Sequence, residues 1–219
     1  MDIYNQKKHQ ECFCYQQGKE AMVEIKRIEQ GVEEKITLAT HEVVFMIEGE
    51  LSYKIGNYNP VALARGQFMF VPIGRTLSYK TKANCLIFII KQNNTLRFCH
   101  SFSIESLHSD IITPPEITPL EINKRLYHYI NGLIETYQDG IMCSYFFEAK
   151  ITEFFVLLRA YYSDQQLSGM FLTVLSPDVK FSEAVFRNYN KYKTINEMAS
   201  AMRLTPVQFA DRFRKVFAQ

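Results

Sequence analysis

The sequence predicts an α+β protein in which an N-terminal antiparallel β-barrel is followed by an α-helical segment and a helix-turn-helix. Three observations predict this class. Hydrophobic residues alternate with a period of two from about residue 21 to 92, as they do in strands. The period changes to 3.6 after Pro119, and two capping sequences stand close together near the C-terminus. We therefore divide the chain into 1–110, 111–192 and 193–219.

Composition and charge narrow the class of protein. Of the 219 residues 47% are hydrophobic and 14% aromatic, which excludes wholesale disorder. The net charge is only +2, but residues 180–219 carry eight Lys and Arg against three Asp and Glu. Such a basic end is typical of nucleic-acid binding, although a solvated helical face gives the same count. Neither a signal peptide nor a long apolar run is present, so we expect no membrane partner. Five cysteines without a CxxC pair indicate reduced thiols and a cytoplasmic protein.

Short strands separated by turn residues fill the first region after a polar arm, residues 1–18, that we expect to be loosely ordered. The strands are Met22–Lys26, Phe45–Glu48, Leu51–Ile55, Phe68–Val71 and Leu77–Lys80. Cys85–Ile90 is continuously apolar, as in a strand that is buried on both faces. Many short strands at even spacing predict a small antiparallel barrel or jelly roll.

Two stretches of this region resemble the signature sequences of a cupin barrel. They are Glu42–Gly49 and the pattern Gly66-x5-Pro72-x-Gly74. Glu42 stands at one metal-ligand position of that pattern, but the three positions that hold histidine in metal-dependent cupins are occupied by Ile36, Leu38 and Leu77. A first-row metal needs three or more converging ligands. We therefore expect no metal, no other cofactor and no enzymatic activity, and the resemblance implies a sensor for an unknown small-molecule effector.

The interior of the barrel would line the effector site. Alternation places either Phe45 and Ile47, or else Val44 and Met46, inside. The same residues equally suit the plain packing of a small barrel. The candidate ligand-contact residues are Phe45, Ile47, Tyr53, Met69, Tyr79 and Phe88.

Two amphipathic helices are predicted in the middle region. Leu126, Ile130, Leu133, Ile134 and Tyr137 share one face of a helix that ends near Asp139-Gly140. An apolar stripe on the next helix comprises Phe147, Ile151, Phe154, Phe155, Leu158 and Tyr162. The pair resembles the dimerisation region of many ligand-sensing regulators and predicts a homodimer. Packing of the stripe on the barrel within one chain is the alternative, since the stripe can be buried only once.

The C-terminal region contains two capped helix starts. Thr194 with Glu197, and Thr205 with Gln208, fit capping boxes. Pro206 occupies the first helical position of the second helix, where no hydrogen-bond donor is lost. Two short helices joined by a tight turn predict a helix-turn-helix whose second helix enters the DNA major groove. An αα-hairpin in a helical bundle would show the same apolar stripes.

The stretch from Thr194 to Phe217 resembles the first helix-turn-helix of AraC/XylS-type transcription regulators. In that family a second such unit follows, which is absent before Gln219, so we expect a truncated or partial chain. Arg203 departs from the pattern, because this turn often prefers glycine. The residues opposite the apolar stripe are the predicted DNA-binding set: Val207, Gln208, Ala210, Asp211, Arg214 and Lys215.

These interpretations predict a ligand-responsive, DNA-binding transcription regulator. Arg214 and Lys215 suit phosphate contacts, whereas Val207 suits a thymine methyl group and Gln208 an adenine edge. Asp211 opposes phosphate binding unless it accepts from a cytosine amino group. The alternative is a sensor and dimerisation module that binds no DNA and acts through a full-length partner.

Overall fold

A computed structural model describes residues 6–16, 21–56, 58–92, 117–175 and 177–217. Its strands are β1 Val23–Ile28, β2 Glu33–Thr37, β3 His41–Glu48, β4 Glu50–Ile55, β5 Val61–Ala64, β6 Gln67–Val71, β7 Thr76–Thr81, β8 Cys85–Gln92 and β9 Leu120–Glu121. Its helices are α1 Gln6–Gln10, α2 Lys124–Gln138, α3 Ser144–Tyr161, α4 Asp164–Phe171, α5 Pro177–Asn188, α6 Ile195–Ala201 and α7 Pro206–Phe217, with a 3-10 turn at Leu172–Leu175. The predicted α+β class is confirmed.

The strands form two antiparallel sheets. One has the order β1-β8-β3-β6-β9 and the other β2-β7-β4-β5, with every described pairing antiparallel. The chain passes repeatedly from one sheet to the other, which is the arrangement of a double-sheet jelly roll. Of the two predicted alternatives, a small barrel or a jelly roll, the second is observed: the described strands pair into two separate sheets and form no closed barrel.

The inner strands β3, β6 and β8 of the five-stranded sheet are largely buried on both faces, which explains their long apolar runs. Val44 and Met46 of β3 face the second sheet and belong to the core between the sheets. Val43 and Phe45 point the opposite way and belong to the core beneath the helices. Phe45 lies opposite Phe68 in β6 and Phe88 in β8, so three aromatic rings meet on the helix-facing side.

Helices α2, α3 and α4 cover that outer face. Phe154 of α3 is fully buried and meets Phe45 and Phe68 edge to face, with ring centroids 5.8 and 6.1 Å apart. The rest of the predicted α3 stripe is buried in the same core. The apolar stripe on α3, which suggested a dimer, is thus buried within the chain. The homodimer stays a prediction, and this stripe no longer supports it.

The N-terminal arm has more structure than its sequence suggested. It contains α1, and Tyr15 forms an antiparallel bridge with Cys143. The Met142 N–H donates to His9 Nε2 at 3.1 Å, which fastens the arm to the start of α3. The described cysteines, which exclude Cys99, are free, and no helix in the described part of the chain is long and apolar enough to cross a membrane.

Helices α5, α6 and α7 form a third core, made by Phe181, Val185, Met198, Ala199, Phe209 and Val216. Helix α5 also contacts the jelly roll. Glu183 lies 3.2 Å from His41 Nε2, and a Cβ added at Gly74 would lie only 2.3 Å from the Ser182 Cβ. Helix α5 therefore packs against both the sheets and the terminal helix pair.

Candidate functional site

A cavity of about 180 Å³ lies between the two sheets of the jelly roll. All seven strands from which it draws its lining belong to the two sheets, so the cavity is a feature of the sandwich interior. Its apolar lining residues are Ile28, Ile36, Leu38, Val44, Leu51, Met69, Leu77, Ile87 and Ile89. Its polar ones are Glu24, Lys26, Glu34, Glu42, Tyr79 and Lys91. A mainly apolar wall with a few polar groups is typical of small-molecule sites.

Most of the polar groups in this cavity are paired with one another. Lys91 Nζ donates to Glu24. Lys26 Nζ lies 3.4 Å from Glu34 Oε2 and 3.3 Å from the Tyr79 hydroxyl, and that hydroxyl donates to Glu34. Two carboxylates and two ammonium groups are thereby neutralised in pairs.

The same contacts set the pKa values of the second group. The hydrogen bond from Tyr79 lowers the pKa of Glu34. Burial alone would lower the pKa of Lys26, but its bonds to Tyr79 and the charge of Glu34 raise it on balance. Burial and the bond to Glu34 raise the pKa of Tyr79. All three shifts favour a charged pair with a neutral phenol.

Glu42 is the exception among the polar groups. Its carboxylate accepts a hydrogen bond from the Thr40 hydroxyl at 3.4 Å, and among the described residues it forms no ion pair. Burial raises the pKa of Glu42, an effect that the charge of Lys91 partly offsets. Lys91 stands opposite Glu42 in the β3–β8 register but donates to Glu24.

The four positions at which the cupin pattern expects metal ligands all line this cavity. They are Ile36, Leu38, Glu42 and Leu77. Three of these side chains have no donor atom, so the set does not fit a metal centre with three or more protein ligands. Within the part of the chain that the structure describes, no group of three His, Cys, Asp or Glu side chains is placed to hold a metal ion.

The predicted ligand-contact residues divide between two places. Met69 and Tyr79 line the cavity. Phe45 and Phe88 lie in the core beneath the helices, and Ile47 is half-buried against that core. Tyr53 is buried between the sheets, and its hydroxyl has no hydrogen-bond partner among the described residues.

Sequence reasoning missed the charged part of the cavity. Glu24 and Lys26 alternate with apolar residues in β1, and Lys91 ends the apolar run of β8. Their period of two places them on the cavity side of the five-stranded sheet. That alternation was the available signal, but the pairing of β1 with β8 was needed to bring the three together.

The second candidate site is the pair of terminal helices. The Thr194 hydroxyl accepts from the Glu197 N–H at 3.2 Å, and Glu197 accepts from the Lys193 N–H, one residue before the predicted partner. Thr205 and Gln208 bond reciprocally as predicted, at 2.9 and 3.2 Å. The structure thus has both predicted N-terminal caps.

The turn between α6 and α7 is a Schellman motif. The Arg203 N–H donates to Ser200 O at 3.0 Å and the Leu204 N–H donates to Ala199 O at 2.9 Å. Arg203 has a φ of 56°, in the left-handed region that favours glycine. Ala199 is fully buried, so the small side chain allows the two helices to approach closely.

The predicted DNA-binding residues lie on the outer side of α7. Val207, Gln208, Asp211, Arg214 and Lys215 are exposed, whereas Ala210 is half-buried. Arg214 lies 3.2 Å from Asp211, one helical turn away, so the acidic side chain is partly neutralised. The third basic residue of the helix, Arg212, instead lies over the Phe181 ring at 5.0 Å.

Comparison with known proteins gives likenesses to solved structures only: no protein-family model and no curated protein matches the chain. An RmlC-like cupin with a double-stranded β-helix fold from Methanocaldococcus jannaschii is 16% identical, with a TM-score of 0.29, over 36% of this chain and 87% of that one. A cupin 2 conserved barrel protein from Leptotrichia buccalis is 15% identical, with a TM-score of 0.29, over 32% of this chain and 34% of its own. Hydroquinone 1,2-dioxygenase from Sphingomonas sp. TTNP3 is 14% identical, with a TM-score of 0.29, over 32% of this chain and 57% of the dioxygenase chain.

These matches are likenesses of fold over about a third of the chain. The prediction that the chain has no enzymatic activity is corrected, because a dioxygenase is among the matched structures. None of the three is described as a DNA-binding protein, so the AraC/XylS resemblance rests on the residues from Thr194 to Phe217.

Proposed function

We propose that the protein is a ligand-responsive transcription regulator in which the jelly-roll cavity binds a small-molecule effector and the α6–α7 pair binds DNA. The observation that carries the proposal is the geometry of that pair. Two capped helices are joined by a four-residue connection with a Schellman turn, and the helices are packed through the buried Ala199. This arrangement supports the proposed helix-turn-helix.

The outer face of α7 supports the role of a recognition helix. In a helix-turn-helix the N-terminal residues of the second helix contact base edges, and here Val207 and Gln208 are exposed at that end. Gln208 Oε1 accepts from the Thr205 N–H, which leaves its amide NH₂ to face a base. Arg214 and Lys215, one to two turns later, are placed for phosphate contacts.

A route from the cavity to the helix pair supports the ligand response. His41 and Glu42 are neighbours on β3, and they face opposite sides of the sheet. Glu42 lines the cavity, whereas His41 accepts from the Ile73 N–H through Nδ1 at 3.2 Å and contacts Glu183 of α5 through Nε2. A ligand that displaces this part of β3 therefore acts on α5, which packs on α7.

The proposed domain organisation takes account of these contacts. The predicted boundary at 193 separates α5 from α6, but Phe181 and Val185 of α5 share a core with α6 and α7. In the proposed organisation, 1–110 is the effector-sensing domain, 111–192 is the linker and dimerisation region, and 193–219 is the DNA-binding unit with α5 as its support. A homodimer would present two such units to two half-sites.

The experiment is fluorescence anisotropy of the full chain with a labelled duplex taken from upstream of its own gene. A scrambled duplex of the same length and composition is the control. Binding that is at least about tenfold tighter to the upstream duplex supports the proposal, since specific binding exceeds non-specific binding by about a thousandfold or more in established cases. Equal or undetectable binding to both duplexes at micromolar protein contradicts it, and would favour the sensor module that acts through a partner.

A further inference from the structure

The cavity differs from a metal site in a specific way. Of the four positions that would hold a metal in a cupin pattern, Glu42 keeps its carboxylate, whereas Ile36, Leu38 and Leu77 present only hydrocarbon to the same space. One carboxylate among these four positions cannot by itself hold a first-row metal ion. It does match a ligand that has one positive or donor group on an apolar body.

The ion pairs in the cavity leave the Glu42 carboxylate available to a ligand. Lys91 is bonded to Glu24, and Lys26 to Glu34. Neither ammonium group is therefore free to receive an anionic ligand without breaking a pair. Glu42 is held by the Thr40 hydroxyl and, among the residues that the structure describes, by no ion pair. With three carboxylates and two ammonium groups in the lining, the surplus charge is negative.

We propose that the cavity binds a small primary ammonium compound, with its cationic group on the Glu42 carboxylate and its apolar body between Leu38, Leu77 and Met69. This deepens the proposed function, because it rests on the cavity being the effector site. The volume of the cavity limits the size of the ligand's apolar body. A protein cavity of about 150 Å³ accommodates benzene, and this one measures about 180 Å³. A single ring or a short branched chain with one amino group fits.

An ion pair formed here would be stronger than one at the surface. The ligand would shield Glu42 from water, and charge-assisted hydrogen bonds are about twice as strong as neutral ones. An anionic ligand of the same shape would meet the unpaired charge of Glu42 instead. The cavity should therefore rank three single-ring probes of similar size by charge: benzylammonium first, benzyl alcohol second and benzoate last.

Isothermal titration calorimetry of the full chain with these three probes tests the proposal. Benzylammonium should bind at least about tenfold more tightly than benzyl alcohol, and benzoate should bind most weakly. Glu42→Gln keeps the size of the side chain but removes its charge, so it should weaken benzylammonium binding about tenfold or more and leave benzyl alcohol nearly unchanged. Binding of benzyl alcohol also shows that the variant is folded and that its cavity is intact.

The matched control is Glu33→Gln, which removes the same charge from an exposed site on β2 outside the cavity and should change none of the three affinities. The proposal is overturned if benzoate binds as tightly as benzylammonium, if Glu42→Gln leaves benzylammonium binding unchanged, or if none of the probes binds. DNA is absent from this experiment, so its failure and a failure of the DNA-binding proposal are seen separately.

Discussion

Replacement of Arg203 by glycine should stabilise the terminal helix pair. Arg203 has a φ of 56° and stands at the turn where α6 ends. A residue with a Cβ is disfavoured in this left-handed region by about 1–2 kcal/mol. Glycine removes that cost, but it loses about 0.4–1 kcal/mol because the unfolded chain becomes more flexible. The net expected gain is about 0.5–1 kcal/mol.

Hydrogen exchange over 195–217 measures this gain, because exchange reports the opening of a local unit even when the rest of the chain stays folded. Since 1.4 kcal/mol corresponds to a factor of ten, exchange in α6 and α7 should slow about two- to fivefold in Arg203→Gly. Arg203→Ala is the control, because it removes the same side chain and keeps the Cβ. An equal gain in Arg203→Ala, or faster exchange in Arg203→Gly, would refute the strain argument.

Three further predictions concern the jelly roll. Gly74→Ala should lower the free energy of unfolding by about 2 kcal/mol or more and expose α5 to proteolysis. The added Cβ would overlap Ser182, and Gly74 has a φ of 74°, which disfavours alanine. Resistance to proteolysis equal to that of the wild type would contradict this. Tyr53→Phe should leave thermal stability unchanged or raise it by up to about 1 kcal/mol, because the hydroxyl removed has no described partner; a clear loss would contradict this. Burial raises the pKa of Glu42, so the folded state binds more protons than the unfolded state. The free energy of unfolding in urea, taken as wild type minus Glu42→Gln, should therefore fall as pH rises from about 4 to 7. A difference that stays constant with pH would contradict this.

Local signals in the sequence predicted much of the fold. The period of two located the strands, and the capping residues Thr194 and Thr205 located the starts of α6 and α7. Gly140, which has a φ of 83°, ends α2 where the Asp139-Gly140 pair predicted. These features depend on neighbours within a few residues, which is why a single sequence is enough to find them.

The orientation of the strands could not be predicted in the same way. Alternation separates Val44 and Met46 from Phe45 and Ile47, but both sets are apolar because helices cover the outer face of the sheet. The ligand-contact set therefore mixed residues from both faces. Only Met69 and Tyr79 of that set line the cavity.

The charged part of the cavity depends on strand order. Glu24 and Lys91 are distant in sequence, and they meet because β8 inserts between β1 and β3. Long-range pairing of this kind leaves no trace in local periodicity. The pairing of Glu183 with His41 is non-local in the same sense, and no local sequence pattern connects α5 with β3.

The proposed contact between the outer face of α7 and DNA phosphates is tested by the salt dependence of DNA binding. The logarithm of the binding constant falls with the logarithm of salt concentration by about 0.9 for each phosphate contact. Anisotropy titrations on the upstream duplex at several salt concentrations should therefore give a slope that is shallower for Arg214→Ala/Lys215→Ala than for wild type by about 1.8 units for each bound protomer. The control is Lys124→Ala/Arg125→Ala, which removes the same charge from exposed positions on α2 and should leave the slope at the wild-type value. An unchanged slope in the α7 variant, or an equal change in the control, would show that Arg214 and Lys215 do not contact DNA phosphates.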